Sequence, residues 1–235
     1  MEPPLSPFAV EVVESGFAIV RGAADEALLN KLLHAVEDLI STMDEVGSAY
    51  GLRGLLARSG RCRALAVQPA LLDLAKAVLG PKAQAVKGLY FDKNEEANWL
   101  VPWHQDLTIT VMERVDIPGF GPWSEKEGIV HVQPPARILE GLVTLRIHLD
   151  DAGVDNGALR VLPGTHRHGR IPSGEISKYV ETIAPVICEA KRGDVLVMRP
   201  LLLHSSPPSI SPSHRQVIHL EYSAADLPGG LEWCG

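Results

Sequence analysis

The sequence predicts a mainly β protein with flanking α-helices, in which an antiparallel sandwich or barrel is buttressed by helices. Three observations point there. After Pro81, short runs rich in β-branched and aromatic residues alternate with Gly, Pro and Asp turns. Before it, two segments carry helical periodicity. The chain of 235 residues, 46% hydrophobic and 22% charged, also has enough apolar material for a full core. We read residues 1–235 as a single domain, with helical support over about 1–80, a β core over about 82–224 and a lid-like insertion over about 113–139.

Taken in order, Phe17 to Val20 reads as a short strand. A helix follows from about Asp25 to Ile40, with Leu28, Leu29, Leu32, Leu33, Val36, Leu39 and Ile40 on one stripe. A second helix lies between Pro69 near its start and Gly80-Pro81 at its end. The β segments are AVKGLYF, LTITVM, LVTLRIHL, ALRVL, APVICEA, DVLVM and QVIHLEY. Between the second and third, Glu113 to Leu139 forms a long insertion punctuated by Pro and Gly. Long loops of this kind are commonly functional, and Phe120, Trp123 and Ile129 give it something to bury, so an ordered lid is expected.

Composition excludes several classes. A net charge of −7 and dispersed basic residues argue against a nucleic-acid groove. Cys62, Cys188 and Cys234 form no CxxC pair and suggest neither a zinc ribbon nor a disulfide framework. Free thiols fit a reducing compartment. The N-terminus has no basic region followed by an apolar run, and no stretch reaches the ~18 apolar residues of a membrane span. A cytoplasmic protein with a small-molecule substrate and no membrane or nucleic-acid partner is expected; oligomeric state is left open.

The chemistry sits in WHQDLT and MRPLLLHSS. His104 and Asp106 are two apart, so at a strand end both side chains can face one ion. His204, at the end of another apolar strand, offers a third ligand. Two histidines and one carboxylate leave one face of the metal open, which suits ferrous iron and oxygen. HxD alone is a common spacing; Arg215, eleven residues beyond His204 and opening the last strand, makes it specific. Its guanidinium can receive the far carboxylate of 2-oxoglutarate as a bidentate pair. Ser206, on the same face as His204, can add a hydroxyl donor.

HQD, then DNGALRVLPGTHRHG (Asp155 to Gly169), then GDVLVMRPLLLHSS and Arg215 together resemble the phytanoyl-CoA dioxygenase family. The resemblance runs from about Tyr90 to Tyr222. It implies a double-stranded β-helix, that is a jelly-roll, cupin-like core. His104 and Asp106 would lie near the second core strand, His204 on the seventh and Arg215 on the eighth. It further implies Fe(II), 2-oxoglutarate and O2, hydroxylation of an unactivated C–H bond, and release of succinate and carbon dioxide. The family's Ser contact to 2-oxoglutarate maps onto Ser206. Asp106 sets the chain apart from halogenating relatives, which carry a small residue there. The insertion has no counterpart in the family, so it is where substrate identity is expected, with His131 and Gln133 as substrate contacts. Shared fold does not fix the substrate.

Other residues follow from alternation. In LVTLRIHLD, Leu145, Ile147 and Leu149 share one face, and Thr144, Arg146 and His148 the other. An apolar outer face on helices and a polar inner face at a site would produce this; an open sheet face in water is the alternative. Arg146 could then bind a carboxylate of cosubstrate or substrate, while His148 reads as a structural histidine. His219 shares a face with Arg215 and reads as a core histidine near the site. His166 and His168 read as surface residues, and Asn156-Gly157 as a turn. Lys87, Leu89 and Phe91 would line one face of an early strand. Two other classes remain open on the residues: a cupin-like metal enzyme without 2-oxoglutarate, and a non-catalytic jelly-roll binding module.

Overall fold

The computed structural model describes residues 5–42, 51–210 and 214–235. The N-terminal part contributes α1 (Pro7–Ser15), β1 (Phe17–Val20), α2 (Glu26–Ser41), β2 (Gly51–Arg53), α3 (Leu55–Arg58), α4 (Gly60–Ala66) and α5 (Pro69–Leu79). Local chemistry sets the boundaries. Asp25 caps α2 by accepting from the Leu28 N–H at 2.8 Å. Pro69 opens α5, and Gly80 at φ 88° ends it.

Eight strands make the core: β3 (Gln84–Lys93), β4 (Val101–His104), β8 (Leu142–His148), β9 (Leu159–Val161), β10 (Val186–Cys188), β11 (Val195–Met198), β12 (His204–Ser206) and β13 (Arg215–Ser223). They form two antiparallel sheets. The larger runs β1-β11-β8-β13-β3-β2, so the N-terminal part adds a strand to each edge; the smaller runs β10-β9-β12-β4. Counted within the core, β4 is second, β12 seventh and β13 eighth, and their order in the sheets is that of a jelly roll. All seven β segments of the sequence reading are strands, as is Phe17–Val20.

The predicted alternation of β8 is present. Leu145, Ile147 and Leu149 pack outward with Ile218, Leu220 and Tyr222 against Leu28, Leu29, Leu32, Val36, Leu71 and Ala75 of the helices. Each such fully buried aliphatic contributes about 1.5–3 kcal/mol. Thr144, Arg146 and His148 point inward and are equally buried, so this face is not in water. The barrel interior is therefore polar along one wall, and polar burial is costly unless a partner is supplied.

The insertion is ordered. Within it lie β6 (Trp123–Lys126), β7 (Ile129–Val132) and α6 (Ala136–Glu140); β6 and β7 join β5 (Ile109–Val111) in a three-stranded sheet. Phe120, Val132 and Leu139 pack with Val86, Leu142, Leu201, Leu227 and Leu231. Its turn is latched by Arg53, which donates to Glu127 at 2.7 Å. α7 (Ile176–Thr182) packs Tyr179 and Val180 onto Leu162 and Leu203, outside the smaller sheet. Cys62, Cys188 and Cys234 are free thiols. Among the described residues no helix is long and apolar enough to cross a membrane.

Candidate metal and cosubstrate site

His104 ends β4, His204 opens β12, and the two strands pair at these residues. Asp106 lies two residues beyond β4, held by its N–H donating to Pro200 O at 2.9 Å. Gln105 between the ligands is a strut: its Nε2 donates to Leu201 O at 2.7 Å and to Gly169 O at 2.8 Å, and its Oε1 accepts from the Ile171 N–H. Ligand donor atoms of His104, Asp106 and His204 all lie within 4.8 Å of one another. His104 Nε2 is 3.8 Å from Asp106 Oδ1, and His204 Nε2 is 3.7 Å from Oδ2.

The tautomers are set by the backbone. Nδ1 of His104 donates to Pro102 O and Nδ1 of His204 to Leu202 O, each at 2.8 Å, which leaves both Nε2 lone pairs toward Asp106. Asp106 Oδ2 is buried with no hydrogen-bond partner among the described residues. Burial lowers the His204 pKa to about 4 against the pull of Asp106, so the ring is neutral near pH 7. Burial works against the Asp106 charge, but His204, His219, His104 and Lys87 outweigh it and hold the carboxyl well below its ordinary range. A neutral His204 imidazole, an ionised carboxylate and an orphaned oxygen are what a divalent metal needs. The donor set fits iron.

Beside the triad is a cavity of about 190 Å³ walled by Leu89, Phe91, Trp99, Val101 and Leu159, with Arg146, Ser206 and Arg215 also lining it. Arg215 and Arg146 are 3% and 7% exposed, and each Nε lacks a hydrogen-bond partner among the described residues. Arg215 pairs across the sheet with Lys93, which is fully buried. Lys93 Nζ donates to Ser206 Oγ at 3.0 Å and to Pro207 O at 2.7 Å, and Ser206 donates to Gly157 O at 2.8 Å. Burial, then the charges of Arg215 and Arg146, bring Lys93 down to about 7. The same burial, with Arg146 adding and Asp92 opposing, brings Arg215 to about 9. Clustered buried cations with unused donors form an anion site.

His104, Asp106, His204, Ser206, Arg215 and Arg146 all line this one cavity. His131 and Gln133 do not line the cavity. Pairing of β7 with β5 sets His131 opposite Thr110, 4% exposed and electrostatically coupled to Lys87 and Glu221. Gln133 accepts from Arg170 Nη2 and its backbone holds Gly121. The insertion closes one end of the barrel, because its apolar residues find a core there, rather than roofing the cavity. His148 is buried and its pKa falls to about 3 through burial and then Arg146 and Arg215, a structural histidine. His168 is exposed, and His166 is half-buried against α1, with Nε2 donating to Val13 O. Gly157 has φ 76°, and a Cβ there would meet Pro207 O at 2.7 Å, so the NG turn requires glycine. Lys93 escaped the sequence reading, although continuing the inner-face alternation of Lys87, Leu89 and Phe91 by two residues reaches it.

A model of the phytanoyl-CoA dioxygenase family matches residues 12–217. No curated protein sequence matches the chain. Solved structures share the fold. AviO1 from Streptomyces viridochromogenes Tue57 is 24% identical, with 97% of this chain and 99% of that one covered at a TM-score of 0.68. HygX from Streptomyces hygroscopicus, solved with nickel and 2-oxoglutarate bound, is 14% identical over 94% and 87% at 0.66. EctD from S. alaskensis with bound Fe is 19% identical over 92% and 75% at 0.68. Iron(II) and 2-oxoglutarate are the cofactors of this class of enzymes. The match spans most of the chain, and the protein belongs to the phytanoyl-CoA dioxygenase family.

Proposed function

We propose that the protein holds iron(II) on His104, Asp106 and His204, binds 2-oxoglutarate beside it, and oxidises an unactivated C–H bond of a small metabolite. Succinate and carbon dioxide would be the coproducts. The observation that carries this reading is that one cavity holds both the orphaned Asp106 oxygen and two buried guanidinium groups whose Nε atoms have no hydrogen-bond partner among the described residues. When bound, iron and cosubstrate supply the activation of oxygen. The chain supplies the rest. Arg215 grips the distal carboxylate, Ser206 turns its hydroxyl from Gly157 O to donate to it, and Lys93 adds charge from behind Ser206. Arg146 faces the end nearer the metal, and Leu89, Phe91, Val101 and Leu159 keep water out. His104 is the most exposed ligand, its side chain 36% accessible against 4% for His204, so substrate approaches over that ring.

Anaerobic titration of the iron-loaded protein with 2-oxoglutarate is expected to give a weak visible charge-transfer band. A folded, iron-loaded protein without that band would rule the reading out. With the band in hand, succinate release across acids, amino acids and acyl thioesters identifies the substrate.

A pH dependence follows from Lys93. Its ammonium predominates below about pH 7 and is lost above it, because burial has lowered the pKa from 10.5. A bound dianion holds the proton on, so cosubstrate affinity is flat below about pH 7 and falls as pH rises beyond it. Band titrations at pH 6, 7 and 8 check this, and Lys93→Met should flatten the profile.

A further inference from the structure

We infer that a buried chain of three side chains, Lys87, Glu221 and His219, supports the metal-binding carboxylate, with His219 acting directly on Asp106. The inference rests on the metal reading above and assigns these residues a positioning role. His219 and Glu221 are inward-facing neighbours on β13, and Lys87 of β3 pairs opposite Glu221. All three are buried. Lys87 Nζ is 2.7 Å from Glu221 Oε1 and donates to Thr108 O at 3.0 Å. His219 Nε2 lies 3.4 Å from Glu221 Oε1 and 4.0 Å from Asp106 Oδ2.

The tautomer decides what His219 can do. Its Nδ1 is 3.2 Å from Arg146 Nη1, and a guanidinium only donates. Nδ1 therefore accepts, and the ring proton is on Nε2, between two carboxylates. Asp106 Oδ2 has no hydrogen-bond partner among the described residues. The Nε2–H is within hydrogen-bond reach of Glu221 Oε1 and stands 4.0 Å from Asp106 Oδ2, so it acts on that carboxylate as a nearby dipole that draws charge from it, in the manner of partners behind a metal ligand.

Asp106, His219 and Glu221 are also close enough to one another to hold a second metal ion. Two features make them a support instead. The Lys87 ammonium already occupies the Glu221 oxygen that faces His219. The proton on Nε2 removes the lone pair a metal would require. Burial opposes the Glu221 charge, and Lys87 together with His219 more than offsets it.

Cobalt(II) affinity, measured by competition with a chromophoric chelator in the absence of 2-oxoglutarate, tests this. His219→Phe keeps a ring and removes the N–H; it is expected to weaken cobalt binding about 10–100-fold. His219→Gln restores an N–H donor and should recover most of the loss, with the visible cobalt spectrum returning toward wild type. Lys87→Met/Glu221→Leu removes the support without leaving an unpaired buried charge, and should also weaken binding if His219→Phe fails to fold. Wild-type affinity in folded His219→Phe or in the double variant, or equal losses with Phe and Gln, would overturn the inference. So would two cobalt ions per wild-type chain, one of them lost in Glu221→Gln. A wild-type protein that binds no cobalt would instead remove the metal reading itself.

Discussion

His204→Ala is expected to abolish stoichiometric iron binding and to lower turnover by about 10³-fold or more. The metal contributes several kcal/mol at the reacting centre, and each ~1.4 kcal/mol is a factor of ten in rate. His204 is the ligand for which substitution is cleanest to interpret. Its ring is buried, its Nδ1 is committed to Leu202 O, and its pKa near 4 keeps Nε2 unprotonated. The remaining pair, His104 and Asp106, still face each other but span only one edge of a coordination sphere. His219 cannot take over, because its proton is on the nitrogen nearest Asp106 and its other nitrogen accepts from Arg146. Iron stoichiometry on the purified variant, with melting temperature as the folding control, checks the result. Near-stoichiometric iron would move the metal elsewhere.

How much of this was readable in advance depends on what fixes each element. The long or strongly apolar strands declare themselves, since β3, β8, β11 and β13 carry side chains that must be buried on at least one face. The helix α2 shows the same for the 3.6-residue period, with Leu28, Leu29, Leu32 and Val36 buried. The strands whose extent the sequence does not delimit are short, exposed or polar. β12 is His-Ser-Ser, β4 contains Pro102, and most of β6 is exposed; each exists because a neighbour supplies its hydrogen bonds. α1 opens on Pro7 and buries only Ala9 and Val12, too weak a stripe to stand out.

The site divides along the same line. The convergence of His104, Asp106, His204 and Arg215 was legible because motif spacing encodes strand position. Lys93, Glu221 and the partners of His219 were not, because register across the sheet brings them together. The insertion misled for a physical reason. A long, aromatic-bearing loop is a good lid on composition, but its apolar residues are satisfied by Leu201, Leu227 and Leu231 at the end of the barrel, away from the cavity.

Arg215→Met is expected to make the ligand-free protein more stable while removing most or all of its response to 2-oxoglutarate. The two effects have one cause. The Arg215 guanidinium is 3% exposed, its Nε has no hydrogen-bond partner among the described residues, and Arg146 and Lys93 add like charge nearby. Asp92 offers only partial compensation. Exchanging an under-compensated buried cation for an apolar side chain of similar length is stabilising by about 1–3 kcal/mol. The same exchange removes the cosubstrate's distal partner, and losing one side of a buried charge pair costs about 2–5 kcal/mol of binding, roughly 30-fold to several thousandfold in Kd. Melting curves of the iron-loaded protein under argon separate the effects. Ligand at 100 times Kd should stabilise the wild type by about 2.7 kcal/mol. The variant should melt higher without 2-oxoglutarate and gain no more than about 0.9 kcal/mol from the same ligand concentration. Arg215→Lys keeps the charge but loses the planar fork, so it should retain only part of the ligand response. A variant that melts lower than wild type yet still responds to 2-oxoglutarate would make Arg215 a structural strut. The strain of unpaired buried charge would then have to be relieved by something other than the cosubstrate.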